Sequence, residues 1–166
     1  MPAGIIIIDK PEGWTSQDVA AKLRGVFHER RVGHGGTLDP MATGVLPVFV
    51  GRATRGVEFF EHADKTYEAV LLLGVITDTE DTTGAVLTAT DVLPSFSELE
   101  AVLPQFRGKI MQTPPMYSAL KVGGKKLCDL AREGVVIERK PRPITVFDIQ
   151  VTPCDQAGDY LLRVKC

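Results

Sequence analysis

Apolar residues along the chain fall into short runs separated by polar and glycine-rich breaks, and their spacing switches between the period of strands and that of helices. Residues 5–8 are four consecutive isoleucines, the pattern of a strand buried on both faces. Asp9-Lys10-Pro11-Glu12-Gly13 then breaks the run as a turn. Thr15 stands as a helix N-cap with Asp18 three residues on, a capping-box arrangement, and Val19, Ala20, Leu23, Val26 and Phe27 follow at helical spacing. Residues 28–44, with glycines at 33, 35, 36 and 44, read as a long loop. Residues 45–51 read as a strand in which Pro47 demands a bulge or an edge position. Residues 52–62 read as a short amphipathic helix.

Further along, residues 65–74 predict a strand with Tyr67, Ala69, Leu71 and Leu73 on one face, the Tyr67 ring packed in the core. Residues 77–84 are a polar, acidic loop, and residues 85–88 a short strand. Residues 97–106 predict a helix with Leu99, Val102, Leu103 and Phe106 as its buried stripe, stopped at Gly108. Residues 109–112 predict a short strand ended by Pro114-Pro115, and residues 125–133 a short helix closed by Gly134. Residues 135–139, 144–151 and 160–165 read as strands. Strands outnumber helices and do not alternate strictly with them. The expectation is an α+β fold, a mixed, largely antiparallel sheet flanked by helices. The last predicted strand runs to Cys166 with no turn, cap or polar tail after it, so we expect one domain, 1–166, that is the N-terminal part of a larger one.

Composition narrows the class. The 166 residues are 44% hydrophobic and 24% charged, ordinary globular values that argue against a disordered or fibrous chain. No apolar run approaches a membrane span, and Met1-Pro2-Ala3-Gly4 shows no basic-then-apolar leader, so no membrane partner is expected. Cys128, Cys154 and Cys166 are odd in number without CxxC spacing; neither a disulfide framework nor a zinc site is expected, and the cytoplasm is the expected compartment. The net charge of −2 conceals a segregation: residues 56–106 hold 10 acidic and 1 basic side chain, residues 107–142 hold 9 basic and 3 acidic. The basic block is a candidate polyanion contact, with a solvated lysine-rich loop as the alternative.

The most informative stretch is Gly33-His34-Gly35-Gly36-Thr37-Leu38-Asp39-Pro40-Met41-Ala42-Thr43-Gly44. Pro40 biases Asp39 toward an extended conformation and so aims its carboxylate from a stiff peptide. A phosphate cradle would need a lysine after the last glycine, and none follows Gly44. A metal site would need more ligands than His34 and Asp39. A carboxylate serving as nucleophile or acid–base group remains open, as does a plain Asx-turn aspartate with a loop histidine.

That loop resembles the signature of the TruB family of tRNA pseudouridine synthases, and other segments resemble the family in the same order. They are Asp9-Lys10-Pro11 with Thr15-Ser16, Lys65-Thr66-Tyr67, Thr77-Asp78-Thr79 with Asp81 and Gly84, the stretch from Gln112 to Lys121, and Leu130-Ala131-Arg132-Glu133-Gly134. The resemblance implies a pseudouridine-synthase-like catalytic domain that isomerises uridine 55 in the TΨC arm of tRNA, without a metal or an organic cofactor, and as a monomer when complete. It implies Asp39 as the essential aspartate, Tyr67 lying against the target base, and His34 helping to open the RNA loop and fill the space of the everted nucleotide. Lys10 and Lys65 would be supports or phosphate contacts.

The resemblance further implies an RNA-gripping insertion at about 109–142, in which Lys121, Lys125, Lys126, Arg132, Arg139, Lys140 and Arg142 are candidate phosphate contacts. Gly35 stands where many members have threonine or alanine. The family's later glycine–tyrosine–isoleucine–arginine motif, whose arginine pairs with the aspartate, is absent, as is its C-terminal RNA-binding domain, so the chain alone is expected to be weakly active or inactive. The rival readings are a non-catalytic tRNA-binding module or folding chaperone, and a fragment that completes its sheet with another chain.

Overall fold

The computed structural model describes residues 2–61, 63–118 and 120–166, and of Glu61 the backbone alone. His62, where the predicted helix 52–62 ends, and Ala119, within the motif before Lys121, lie outside the described residues. The chain forms an α+β fold with antiparallel sheets, in two compact units divided between Ala63 and Asp64.

In the first unit, β1 (Gly4–Lys10), β2 (Val32–His34) and β3 (Gly44–Val50) form an antiparallel sheet in the order β1-β3-β2, covered on one face by α1 (Ser16–Phe27). The strand period places Ile6, Ile8 and Lys10 on the helix side and Ile5 and Ile7 on the other, where they are 52% and 59% exposed. This corrects the expectation of a strand buried on both faces. Val19, Ala20 and Leu23 of α1 pack against Leu46, Val48, Val50 and Val32, forming the core of this unit. Thr15 caps α1 as expected: its hydroxyl accepts the Asp18 N–H, and the Asp18 carboxylate accepts the Thr15 N–H. The Thr15 hydroxyl also donates to the Asp18 carboxylate at 2.6 Å; this bond first, and that from the Thr15 N–H second, hold the Asp18 carboxyl below its ordinary range.

The predicted loop 28–44 contains β2, too short to announce itself by alternation. Pro47 sits in the central strand without a bulge, opposite Ile7. Its carbonyl accepts the Gly35 N–H, so its nitrogen also faces the β2 side, where that ladder has just ended at His34 opposite Val48. The reciprocal bond to the Gly35 carbonyl is one a proline cannot donate, and the ladder stops at that point. After β3 the chain makes a 3₁₀ turn over Gly51–Gly56 and one helical turn, α2 (Glu58–Glu61). Phe60 meets Phe49 edge-on at 5.0 Å. A Cβ on Gly35 would lie 3.0 Å from the Phe49 ring and 3.3 Å from the Phe60 Cβ, so the glycine leaves room for the Phe49 ring and the root of Phe60.

In the second unit β4 (Thr66–Leu72), β11 (Asp148–Pro153) and β12 (Asp159–Lys165) form a sheet in the order β11-β12-β4. Two hairpins, β5 (Val75–Thr77) with β6 (Val86–Ala89) and β8 (Lys121–Val122) with β9 (Lys125–Lys126), escaped the sequence pattern in whole or in part. The segment 144–151 divides at Phe147: β10 (Arg142–Val146) pairs with β7 (Gly108–Gln112), and β11 pairs with β12. Leu103, Val146 and Ile149 form the buried cluster. The helix predicted over 97–106 is α3 (Phe96–Val102), capped by Ser95 and Glu98, followed by a 3₁₀ turn around Pro104. Leu99 and Leu103 are buried, whereas Val102 and Phe106 are 40% and 50% exposed.

The helix predicted over 125–133 is shorter, α4 (Leu127–Arg132), because Lys125 and Lys126 belong to the β9 strand. Residues 135–139 form no strand. Gly134, at φ 74°, ends α4, and the Val135 N–H bonds back to the Leu130 carbonyl, so that amide serves the helix terminus and not a ladder.

Candidate active site and basic surface

The glycine-rich loop of the first unit is pinned on both sides of Asp39. Ser16, the first residue of α1, is 2% exposed; its Oγ accepts the Leu38 N–H at 2.9 Å and donates to the Leu38 carbonyl at 3.3 Å. On the other side, the Pro40 carbonyl accepts the Gly13 N–H at 2.8 Å and Lys10 Nζ at 3.3 Å. Lys10 Nζ also donates to the carbonyls of Pro11 (2.9 Å) and Trp14 (2.6 Å), using all three of its donors. The Ala42 N–H closes the turn onto the Asp39 carbonyl at 3.0 Å. The Asp39 side chain itself is exposed. The arrangement is a carboxylate presented to solvent from a backbone that cannot easily move, the form a positioned nucleophile or base requires.

Lys10 is fully buried and lies beneath this loop, holding it. It therefore has the place of a support, and its ammonium does not face solvent where a phosphate would approach. His34 is half-buried, and its Nδ1 meets the Gly36 carbonyl. A carbonyl can only accept, so the proton is on Nδ1 and Nε2 is left for another partner.

Sequence reasoning assigned no role to Ser16, although the signal was present. It lies on the same helical stripe as Val19, Ala20 and Leu23, and a polar group on an apolar stripe needs a partner. Lys10 carries the same signal, standing at the inward position after Ile6 and Ile8.

Lys65 and Tyr67 belong to the second unit. Lys65 is half-buried and exchanges both backbone bonds with Cys166, at 2.7 and 2.9 Å. Tyr67 shares its face with Ala69 and Leu71, opposite Val164, Leu162 and Tyr160. Because β4 is an edge strand, the ring is 44% exposed and is not packed in the core as expected.

The basic segment of the second unit is sorted by its partners. Lys125 pairs with Glu133 at 3.6 Å and Arg132 with Asp129 at 3.7 Å. Arg139 donates to the Pro114 carbonyl at 3.0 Å, and Arg142 to Gln112 Oε1 at 3.2 Å. Among the described residues, Lys121, Lys126 and Lys140 have no ion-pair partner. No group of three or more His, Cys, Asp or Glu side chains suited to a metal occurs among the described residues. No helix there is long and apolar enough to cross a membrane.

Comparison with known proteins agrees with this architecture. The family model for the N-terminal domain of TruB family pseudouridylate synthases matches residues 24–166. The tRNA pseudouridine synthase B of Lactococcus lactis subsp. cremoris is 48% identical over 171 residues, covering 98% of this chain and 52% of that protein. The enzyme of the same name from Pasteurella multocida is 45% identical over 164 residues, covering 98% and 53%. Among solved structures, a chain of a Cbf5–Nop10–Gar1 complex superposes with a TM-score of 0.70 at 33% identity, covering 98% of this chain and 39% of that one. A chain of an H/ACA RNP bound to a substrate RNA containing 2′-deoxyuridine superposes with a TM-score of 0.65 at 28% identity, covering 98% and 37%. The chain spans about half the length of the curated relatives it matches. A family model over most of its length and relatives near half identity lead to one assignment: the chain belongs to the TruB family of pseudouridylate synthases.

Proposed function

We propose that this chain is the N-terminal portion of a tRNA pseudouridine synthase that converts uridine 55 of the TΨC arm to pseudouridine in the cytoplasm, as a monomer, with Asp39 as the catalytic carboxylate. The observation that carries the reading is the exposed Asp39 carboxylate on a loop whose neighbours Leu38 and Pro40 are both bonded to the scaffold. The reaction breaks the bond from ribose to the base nitrogen, turns the base, joins it again at carbon 5, and removes the proton from that carbon. An ionised carboxylate beside the sugar–base bond serves the first step by adding to base or sugar or by taking a sugar proton. No cofactor is needed for this chemistry.

The remaining roles follow from the family resemblance and chemistry. Tyr67 lies against the base and takes the carbon-5 proton. His34 offsets the lost stacking of the everted nucleotide. Lys10 supports the loop and Lys65 supports the strand that carries Tyr67. Residues 109–142 act as the RNA-gripping insertion, with the cations at 121, 125, 126, 132, 139, 140 and 142 facing phosphates.

The test is chemical mapping of pseudouridine in an unmodified tRNA treated with the product of the natural reading frame and with its Asp39→Asn form. The expected outcome is modification at position 55 by the first and none by the second. Equal modification by both would overturn the role of Asp39. Tight tRNA binding without modification by either would favour a non-catalytic binding module.

A further inference from the structure

We infer that Lys121 and Lys126 form a two-pronged clamp on a single RNA phosphate, an assignment that rests on the tRNA-modifying role proposed above. The two lysines are direct partners across the β8–β9 ladder, with Val122 opposite Lys125. The hairpin closes through Gly123 and Gly124 at φ 59° and 86°, the pair of left-handed positions of a type I′ turn, which fixes this register. Residues directly opposite in an antiparallel ladder project from the same face with Cβ atoms about 5 Å apart, and like charges so placed destabilise the pair.

Among the described residues neither lysine has an ion pair to relieve that repulsion. The neighbouring cations are already engaged, Lys125 by Glu133 and Arg132 by Asp129. The base of the hairpin is anchored. The Leu127 N–H bonds to the Leu120 carbonyl at 2.8 Å, the Cys128 N–H bonds to the Ser118 carbonyl at 3.0 Å, and Leu127 is 1% exposed. The fold therefore roots two exposed lysines side by side on one face of the hairpin, in a segment with 9 basic and 3 acidic side chains over residues 107–142. A phosphate accepts from both through its two non-bridging oxygens and turns the repulsion into attraction. A polyanion backbone supplies that group without sequence preference.

The test compares the wild-type protein with Lys121→Glu and with the double variant Lys121→Gln/Lys126→Gln, measuring tRNA affinity against salt concentration and amide exchange at Leu127 and Cys128. Lys121→Glu creates an attractive pair with Lys126, so exchange at those amides slows while tRNA affinity falls; a residue with a purely structural role would move both the same way. In the double variant the slope of log affinity against log salt falls by about 0.9, the loss of one phosphate contact. A fall of about 1.8 means two separate phosphates and overturns the clamp, as does an unchanged slope or faster exchange in Lys121→Glu. Failure of the wild-type protein to bind tRNA overturns the functional reading and the clamp together. Normal binding and modification with indifferent variants overturns the clamp alone.

Discussion

The loop of residues 33–44 and the segment of residues 121–142 both consist mainly of short elements and turns, yet they are built by opposite rules. Around Asp39 the backbone bonds of the flanking Leu38 and Pro40 are directed inward, to Ser16, Gly13 and a fully buried Lys10, and one carboxylate is left outside. In the basic segment the backbone is held at its root by Leu127, and the charges are left outside, three of them with neither an ion pair nor a side-chain hydrogen bond among the described residues. Under the function proposed above, the contrast teaches what each task requires. Bond making needs an atom held within a fraction of an ångström, so the scaffold fixes the backbone. Gripping a polyanion needs available charge on adaptable side chains, so the scaffold fixes only the base.

The comparison breaks first at Lys10. Lys10→Met removes the donor shared by the Pro11, Trp14 and Pro40 carbonyls. The expected loss of stability is on the order of 4 kcal/mol, from the loss of three charge-assisted hydrogen bonds made by one buried ammonium, measured by denaturant unfolding. Pseudouridine formation should fall with it even where the protein remains folded, while the salt slope of tRNA binding stays at its wild-type value. Leu127→Ala is the counterpart in the basic segment. A cost of about 3 kcal/mol is expected for emptying that position, with tRNA affinity reduced and single-turnover modification of bound tRNA retained.

The smallest effect sharpens the comparison through acid. Thr15→Ala removes the cap of the helix that carries Ser16, at a cost of about 1 kcal/mol in thermal unfolding near neutral pH. The Asp18 carboxyl titrates below its ordinary range because Thr15 bonds to its charged form. Its folded value is thus lower than that of the unfolded chain. The carboxylate's share of the cap is fully present above the ordinary carboxylate range and is lost as pH falls through the lowered value, while the bond from the Asp18 N–H to the Thr15 hydroxyl remains. The stability gap between wild type and Thr15→Ala should therefore narrow below about pH 4. Glu98, held low by Ser95 in the same way, makes α3 of the second unit lose the carboxylate half of its cap over the acid range as well.

Much of this was legible in the sequence where a local rule decides. The capping box at Thr15 and Asp18, the strand β12, and the loop that carries Asp39 follow from residue type and spacing. Where a distant partner decides, the pattern was silent. Four isoleucines read as doubly buried, yet among the described residues nothing covers Ile5 and Ile7 as α1 covers Ile6 and Ile8. The pair Val135-Val136 has strand propensity, but the Val135 amide is needed at the end of α4. Pro47 obeys its rule through the point at which β2 stops, which a one-dimensional reading does not contain. In the site, the glycine-rich loop and its aspartate were visible, whereas Ser16 was found only through its partner, Leu38, twenty-two positions away.

The close seat of Gly35 against Phe49 and Phe60 ties three distant positions into one steric unit. A methyl group at the first position would press on the Phe49 ring and on the Phe60 Cβ, and those neighbours would have to give by a few tenths of an ångström to admit it. A designer who enlarges position 35 should therefore plan slack at 49 and 60 in the same step.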